Sequence, residues 1–241
     1  MIIVDNVDMA AKVRTRYGEL TPYGGASDYR KKYRTAVDHY KDGSVKSVYL
    51  QEPVELRFPA GVYQAELITF YEDGSAKRVF PLYGQISAYW SIEEEVENAP
   101  YYDFEVSGEI LRIRPQCILF YPSGKIRAVT LWPGDEISVL TPVGRIRSKL
   151  GFELYESCAL RSIEPVYGTV INTPEGEIRP YRYRPVMMHA ENATLGFTED
   201  GVDCRFFFRN VYDGCGGKTA RKTSQCRKTD TSAVPTAGTC P

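Results

Sequence analysis

Histidine and tryptophan are scarce in this sequence, with two of each in 241 residues. His39 falls in an aromatic slot of the repeat described below, and His189 follows Met187-Met188 with no partner at metal-ligand spacing. Charge of one sign is not in excess: 30 Lys and Arg stand against 31 Asp and Glu, a formal net charge of -1. That balance excludes a protein that coats nucleic acid through bulk charge, and no nucleic-acid partner is expected. No window approaches the ~18 apolar residues of a membrane helix. The first apolar run stops at Val4, where Asp5 interrupts it, so no secretory leader is expected and the location is read as cytoplasmic. Close cysteine pairs are missing too. Cys204, Cys215, Cys226 and Cys240 are spaced too widely to pinch a zinc ion, and the cysteines are expected to be reduced thiols. Gly214-Cys215-Gly216-Gly217-Lys218-Thr219 ends like a phosphate-binding loop, but Tyr212 stands where the first glycine is required. No complete catalytic signature is present; the chain is expected not to be an enzyme and to hold no metal or cofactor.

Tyrosine, glycine and proline are abundant, at 18, 20 and 15 residues, a composition suited to short strands and many turns. An internal repeat accounts for much of it. The fullest copy is Phe70-Tyr71-Glu72-Asp73-Gly74-Ser75-Ala76-Lys77-Arg78-Val79. Residues 39–48, 120–129 and 154–163 repeat it, and Phe197-Thr198-Glu199-Asp200-Gly201-Val202 is a degenerate fifth copy. Asp-Gly or Ser-Gly between β-rich runs signals a hairpin, because glycine reaches positive φ without steric cost. Cys158 occupies the glycine position of the fourth copy, where a left-handed backbone would cost about 1 kcal/mol. Pro53, Pro81, Pro133 and Pro165 end or bend the strands that follow, and Thr141-Pro142-Val143-Gly144 and Pro59-Ala60-Gly61 mark further turns. The expected fold is all-β: repeated antiparallel hairpins forming an elongated meander or solenoid-like sheet.

Two registers fit each hairpin. A three-residue loop pairs Phe70, Phe120 and Leu154 with Ala76, Ile126 and Leu160, and His39 with Val45. Tyr40, Tyr71, Tyr121 and Tyr155 then share the other face with Lys46, Lys77, Arg127 and Arg161. A two-residue loop shifts the pairing and puts tyrosine with the apolar residues. The three-residue loop separates apolar from charged more cleanly. Neither register accommodates Val48, Val79, Val129 and Ile163 without a local twist or bulge. The tyrosine and basic residues form the candidate binding strip, suited to an acidic protein segment, a lipid headgroup or an anionic glycan. Edge protection and pairing with Glu on neighbouring strands account for the same basic residues without a ligand.

The chain divides into an N-terminal cap segment (1–35), a hairpin-repeat domain (36–209) and a basic, Ser/Thr-rich tail (210–241) expected to be disordered. The acidic run Ile92-Glu93-Glu94-Glu95-Val96-Glu97-Asn98 reads as a solvated linker with one helical turn.

The aromatic-Tyr-x-(Asp/Ser)-Gly-x-apolar-basic units resemble the MORN-type and YwqK-type repeats, which fold as successive β-hairpins. The resemblance covers residues 36–209. Pro-containing stretches replace the Gly-rich second half of MORN units, and Cys158 departs from the motif. MORN arrays serve as scaffolds or as lipid- and protein-binding modules, and YwqK-like proteins are associated with toxin neutralisation. The resemblance therefore implies a non-catalytic module that binds another protein through a repeat face. The alternatives are a peripheral binder of anionic phospholipid headgroups and a hydrolase with carboxylates assembled across repeats. Exposed end hairpins also invite an edge-to-edge dimer.

Overall fold

The computed structural model describes residues 11–25, 30, 31, 35–84, 86, 87, 89–173, 176–181, 189–201, 203–206, 226 and 227. In chain order its first strands are β1 (Val13–Thr15), β2 (Gly18–Leu20), β3 (Val37–His39), β4 (Val45–Phe58), β5 (Gly61–Phe70) and β6 (Ala76–Phe80). A short helix, α1 (Ile92–Glu97), precedes β7 (Tyr102–Val106), β8 (Glu109–Ile113), β9 (Pro115–Phe120), β10 (Ile126–Leu131), β11 (Ile137–Thr141), β12 (Gly144–Leu154) and β13 (Leu160–Pro165). Then come β14 (Ile171–Thr173), β15 (Gly176–Ile178), a 3-10 turn at Ala190–Asn192, β16 (Leu195–Phe197), β17 (Asp203–Phe206) and β18 (Cys226–Arg227).

The described residues form two compact units, one from residues 1–100 and 115–125 and one from 101–114 and 126–240. The strand order in the first is β9-β6-β5-β4-β3, with β1 and β2 as a separate hairpin. In the second it is β10-β12-β13-β16-β17-β18, with β11 also on β12 and separate hairpins β7–β8 and β14–β15. Apart from β11 and the separate hairpins, the strands follow one another through each sheet in chain order and run antiparallel, the expected meander of hairpins.

The repeat turns are three-residue loops. Tyr40, Tyr71, Tyr121 and Tyr155 each donate their N–H to the carbonyl four residues on, at 2.8 Å, and each accepts the N–H three residues on, at 2.9–3.0 Å. The third loop residue is left-handed: Gly43 at φ 85°, Gly74 at 79°, Gly124 at 85° and Cys158 at 69°. Asp42 and Asp73 fasten their loops by accepting from the hydroxyl and N–H of Ser44 and Ser75. Cys158 is disulfide-bonded rather than the expected reduced thiol, whereas Cys117 and Cys204 are buried and not disulfide-bonded.

The loops fix the register. His39 pairs with Val45, Phe70 with Ala76 and Leu154 with Leu160, as the three-residue reading requires. One position earlier the partners jump, to Asp38 with Ser47, Thr69 with Arg78 and Glu153 with Ser162. Lys46, Lys77 and Arg161 are therefore the extra residues of β-bulges. The bulge resets the alternation, so Val48, Val79 and Ile163 return to the face of the apolar turn residues. An unbroken apolar row follows. Val48, Ile68, Val79 and Ile118 are paired across the first unit, and Val129, Phe152, Ile163 and Leu195 across the second. All eight are fully buried, each contributing roughly 1.5–3 kcal/mol of burial free energy.

β4 and β5 form the longest hairpin of the first unit. β4 does not end at Pro53; the proline sits in a register shift between Tyr49 and Val54, and the strand continues to Phe58. Phe58 then stacks on Phe120 with ring centroids 4.9 Å apart. The described part of the N-terminal segment packs on this unit: Tyr17 lies on Phe58 and Phe70, and Tyr23 donates its N–H to the Tyr49 carbonyl. In the second unit the β7–β8 hairpin sets Phe104 edge-on to Phe152 at 6.2 Å. The acidic run is not a solvated linker throughout. It forms α1 with a capping box between Ser91 and Glu94, and Glu95 is fully buried. Of the tail expected to be disordered, Cys226 and Arg227 are described and pair with Cys204 and Asp203. The rest of that expectation, with the Gly214–Thr219 segment, lies outside the described residues.

One close approach depends on a missing side chain. Gly151 lies at φ 106°, and a Cβ there would sit 1.9 Å from the Val129 carbonyl oxygen. Gly18 has a similar φ of 116° but open space around it. Gly151→Ala should cost about 3 kcal/mol or more, against about 1 kcal/mol for Gly18→Ala. Urea unfolding of both variants checks this, and equal losses would mean the contact at Gly151 is not close.

Candidate functional site

The bulges place the basic residues over the tyrosines. Lys46 Nζ lies 5.9 Å from the Tyr40 ring centroid, Lys77 Nζ 5.3 Å from that of Tyr71, and the Arg161 guanidinium 5.4 Å from that of Tyr155. Each is a cation–π pair within one hairpin. All four tyrosines are half-buried. Tyr121 closes the third turn in the first unit, and Arg127 belongs to the second.

The sequence gives no sign of what the tyrosine hydroxyls do. Tyr40 donates to the Phe70 carbonyl at 2.7 Å, Tyr71 to the Phe120 carbonyl at 2.9 Å and Tyr155 to the Phe197 carbonyl at 2.8 Å. In each case the acceptor is the residue just before the next turn's Tyr, or before Thr198 in the last copy. The tyrosine is thus a stitch between consecutive hairpins, and its ring is a platform for the cation. Burial first and the Glu72 carboxylate second hold the Tyr40 hydroxyl above its ordinary pKa, which keeps it a donor.

The basic ladder divides into two kinds. Arg127 Nε lies 3.2 Å and Arg161 3.6 Å from the same Glu153 oxygen, and Ser162 donates to the other at 3.0 Å. Glu153 is 5% exposed against 34% and 42% for the arginines, so one sunken carboxylate offsets both cations. Among the described residues no carboxylate is paired with Lys46 or Lys77. Beside Lys46 a cavity of about 400 Å³ is lined by His39, Tyr40, Lys41, Asp42, Lys46 and Glu72.

Two other carboxylates converge in the first unit. Arg30 donates to Glu66 at 2.7 and 3.1 Å and to Glu95 at 2.9 Å twice, and Lys31 Nζ lies 3.0 Å from Glu66. Main-chain N–H groups complete the shell, Tyr83 on Glu66 at 2.5 Å and Gly84 on Glu95 at 2.6 Å, with the Trp90 indole on Glu95 at 2.6 Å. Gly84 has no room for a side chain, since its Cβ would lie 2.4 Å from Glu95 Oε2. Burial pushes the Glu95 pKa up, but the bonds from Arg30, Gly84 and Trp90 outweigh it and hold the carboxyl below its ordinary value. Glu164, buried in the second unit, accepts the N–H and hydroxyl of Thr194, both at 2.9 Å. These acids are bound into the fold by donors. Among the described residues no group of three or more His, Cys, Asp or Glu side chains is placed to hold a metal ion, and no helix is long and apolar enough to cross a membrane.

Tyr71→Phe deletes one stitch and should cost about 1 kcal/mol, read as a lower urea midpoint with an unchanged slope. Glu95→Gln should cost about 3 kcal/mol by leaving Arg30 under-compensated. A carboxyl with a lowered folded pKa contributes stability that is complete above its ordinary value near 4.5 and lost as pH falls through the folded value. Wild-type stability should therefore decline below about pH 4.5, and the Glu95→Gln variant should lack that part of the decline. Parallel pH profiles would show that Glu95 does not carry it. Compared with known proteins, the chain matches no family model, no curated protein and no solved structure.

Proposed function

We propose that the chain is a non-catalytic interaction module that binds an acidic segment of another protein through Tyr40, Lys46, Tyr71 and Lys77. The observation that carries this reading is the contrast along the ladder. Arg127 and Arg161 are offset by buried Glu153, whereas Lys46 and Lys77 rest on tyrosine rings with no carboxylate paired to them among the described residues. A charge already held over a ring by a bulge loses less side-chain freedom on binding than a free surface lysine. Lys46 and Lys77 follow the turns of consecutive hairpins, on β4 and β6 with β5 between them. Two strand spacings set them about 9–10 Å apart. A segment in the polyproline II conformation, with three residues per turn and about 3.1 Å rise, sets acidic residues at i and i+3 on one face about 9 Å apart and matches that separation. The resemblance of the turn motif to MORN-type and YwqK-type repeats supports a binding role. Cys117 and Cys204, buried and not disulfide-bonded, support a cytoplasmic setting, and the disulfide at Cys158 speaks against it.

Affinity capture from the native organism with wild-type chain, Lys46→Gln/Lys77→Gln and the exposed control Lys12→Gln/Arg14→Gln tests the site. A protein retained by wild type and control but depleted about tenfold with the first pair, and eluted by moderate salt, is the expected result. Equal capture by all three chains would overturn it. Sedimentation with phosphatidylserine vesicles separates the lipid reading: binding lost in the Lys46/Lys77 pair would make an anionic headgroup the ligand instead.

A further inference from the structure

The outer side of β3 ends the strand order of the first unit. Tyr49 N–H donates to the Ala36 carbonyl at 2.8 Å, with Val37 opposite Val48 and Asp38 opposite Ser47. In an antiparallel ladder this turns the main-chain groups of Asp38 toward β4 and those of Val37 and His39 away from it. Among the described residues nothing pairs with those outward groups.

Elsewhere the equivalent edge is filled by a fixed rule. The residues matching Val37 are Ile68, Ile118, Phe152 and Leu195, and they face Val48, Val79, Val129 and Ile163. Those matching Asp38 are Thr69, Leu119, Glu153 and Gly196, facing Ser47, Arg78, Ala128 and Ser162. The carbonyls of Phe70, Phe120 and Phe197, which match that of His39, each receive a tyrosine hydroxyl. β3 presents the same edge, and among the described residues no preceding hairpin is paired to it.

We propose that β3 is a strand-addition site for a second protein, which adds an antiparallel strand with an apolar residue opposite Val37 and a basic residue opposite Asp38. The joints inside the chain supply the apolar requirement. Asp38 supplies the charge requirement: it is exposed, and a cation directly across an antiparallel pair is favourable while a like charge is not. The same carboxylate disfavours a second copy of this chain, because the register that uses all of β3 on both copies sets Asp38 against Asp38. A tyrosine eight positions before the guest's apolar residue, the spacing of Tyr71 and Val79, has the reach to donate to the His39 carbonyl. Main-chain hydrogen bonds provide affinity in such complexes and the facing side chains provide selectivity. The site uses the backbone of β3 and not Lys46 or Lys77, so the Lys46→Gln/Lys77→Gln variant retains it.

A synthetic peptide of residues 66–81, a hairpin whose Arg78 and Val79 obey the rule, serves as the probe. It is titrated into the full chain while hydrogen exchange is followed at the Val37 and His39 amides. Saturable binding with protection of both amides is expected. An Arg78→Asp peptide should bind about tenfold more weakly, and an Asp38→Arg chain should restore its binding. No binding at about 1 mM, a range where contacts of this size register, would overturn the proposal. So would equal binding of the two peptides, or amides already protected in the free chain. Self-association of the chain that Asp38→Arg abolishes would also overturn it, by making a second copy the guest.

Discussion

A β-strand sends successive side chains to opposite faces, and that alternation conflicts with the spacing of these hairpins. Ala76 and Val79 lie three positions apart, as do Leu160 and Ile163, and all four are buried. An odd separation on a regular strand would send one of each pair to solvent. The single extra residue at Lys77 and Arg161, with Lys46 in the first hairpin, removes the conflict. Much else depends on it. The apolar row stays continuous from strand to strand, and the inserted residue, which has no cross-strand partner, is free to be long and charged. It settles on the tyrosine six positions before it.

The tyrosine consequently serves two neighbours, the cation of its own hairpin through the ring face and the next hairpin through the hydroxyl. Because the hydroxyls of Tyr40, Tyr71 and Tyr155 are engaged within the fold, ring faces and the lysine ammonium groups are what the first unit's hairpins leave toward solvent. Glu153 shows how the same scaffold withdraws that charge: one buried acid opposite Ala128 gathers both arginines. In the first unit Thr69 stands where Glu153 stands in the second, and the lysines keep their charge at the surface.

The hairpins were legible because they are local. A glycine at the third loop position and a clean separation of apolar from charged residues favoured one of two loops one residue apart without fixing the register, and the misfit of Val48, Val79 and Ile163 implied a twist or a bulge. Identifying the extra residue as the basic one needed the pairing itself. The stitches were not legible, since a tyrosine hydroxyl and its acceptor carbonyl lie 30 to 49 residues apart and the acceptor carries no side-chain signature. Glu95 shows a different limit. Ser91 and Glu94 fit a capping pattern, yet which of several consecutive glutamates turns inward depends on Arg30, 65 residues away. Proline was ambiguous for a third reason: it ends a strand or bends it according to whether the next segment finds a partner, and beyond Pro53 that partner is β5.

The stitch joins a side chain to a main-chain oxygen, so it is indifferent to which residue supplies the acceptor and to how much chain lies between. Thirty-one residues separate Tyr40 from Tyr71 and 50 separate Tyr71 from Tyr121, yet the bonds differ by 0.2 Å, at 2.7 and 2.9 Å. A helix or an additional hairpin can therefore be spliced between turns without redesigning the joint. Duplication of one hairpin would bring with it both halves of a new junction, the donor it offers and the acceptor it presents. Thr198, which stands where the other copies have tyrosine, carries no phenol to donate such a stitch onward.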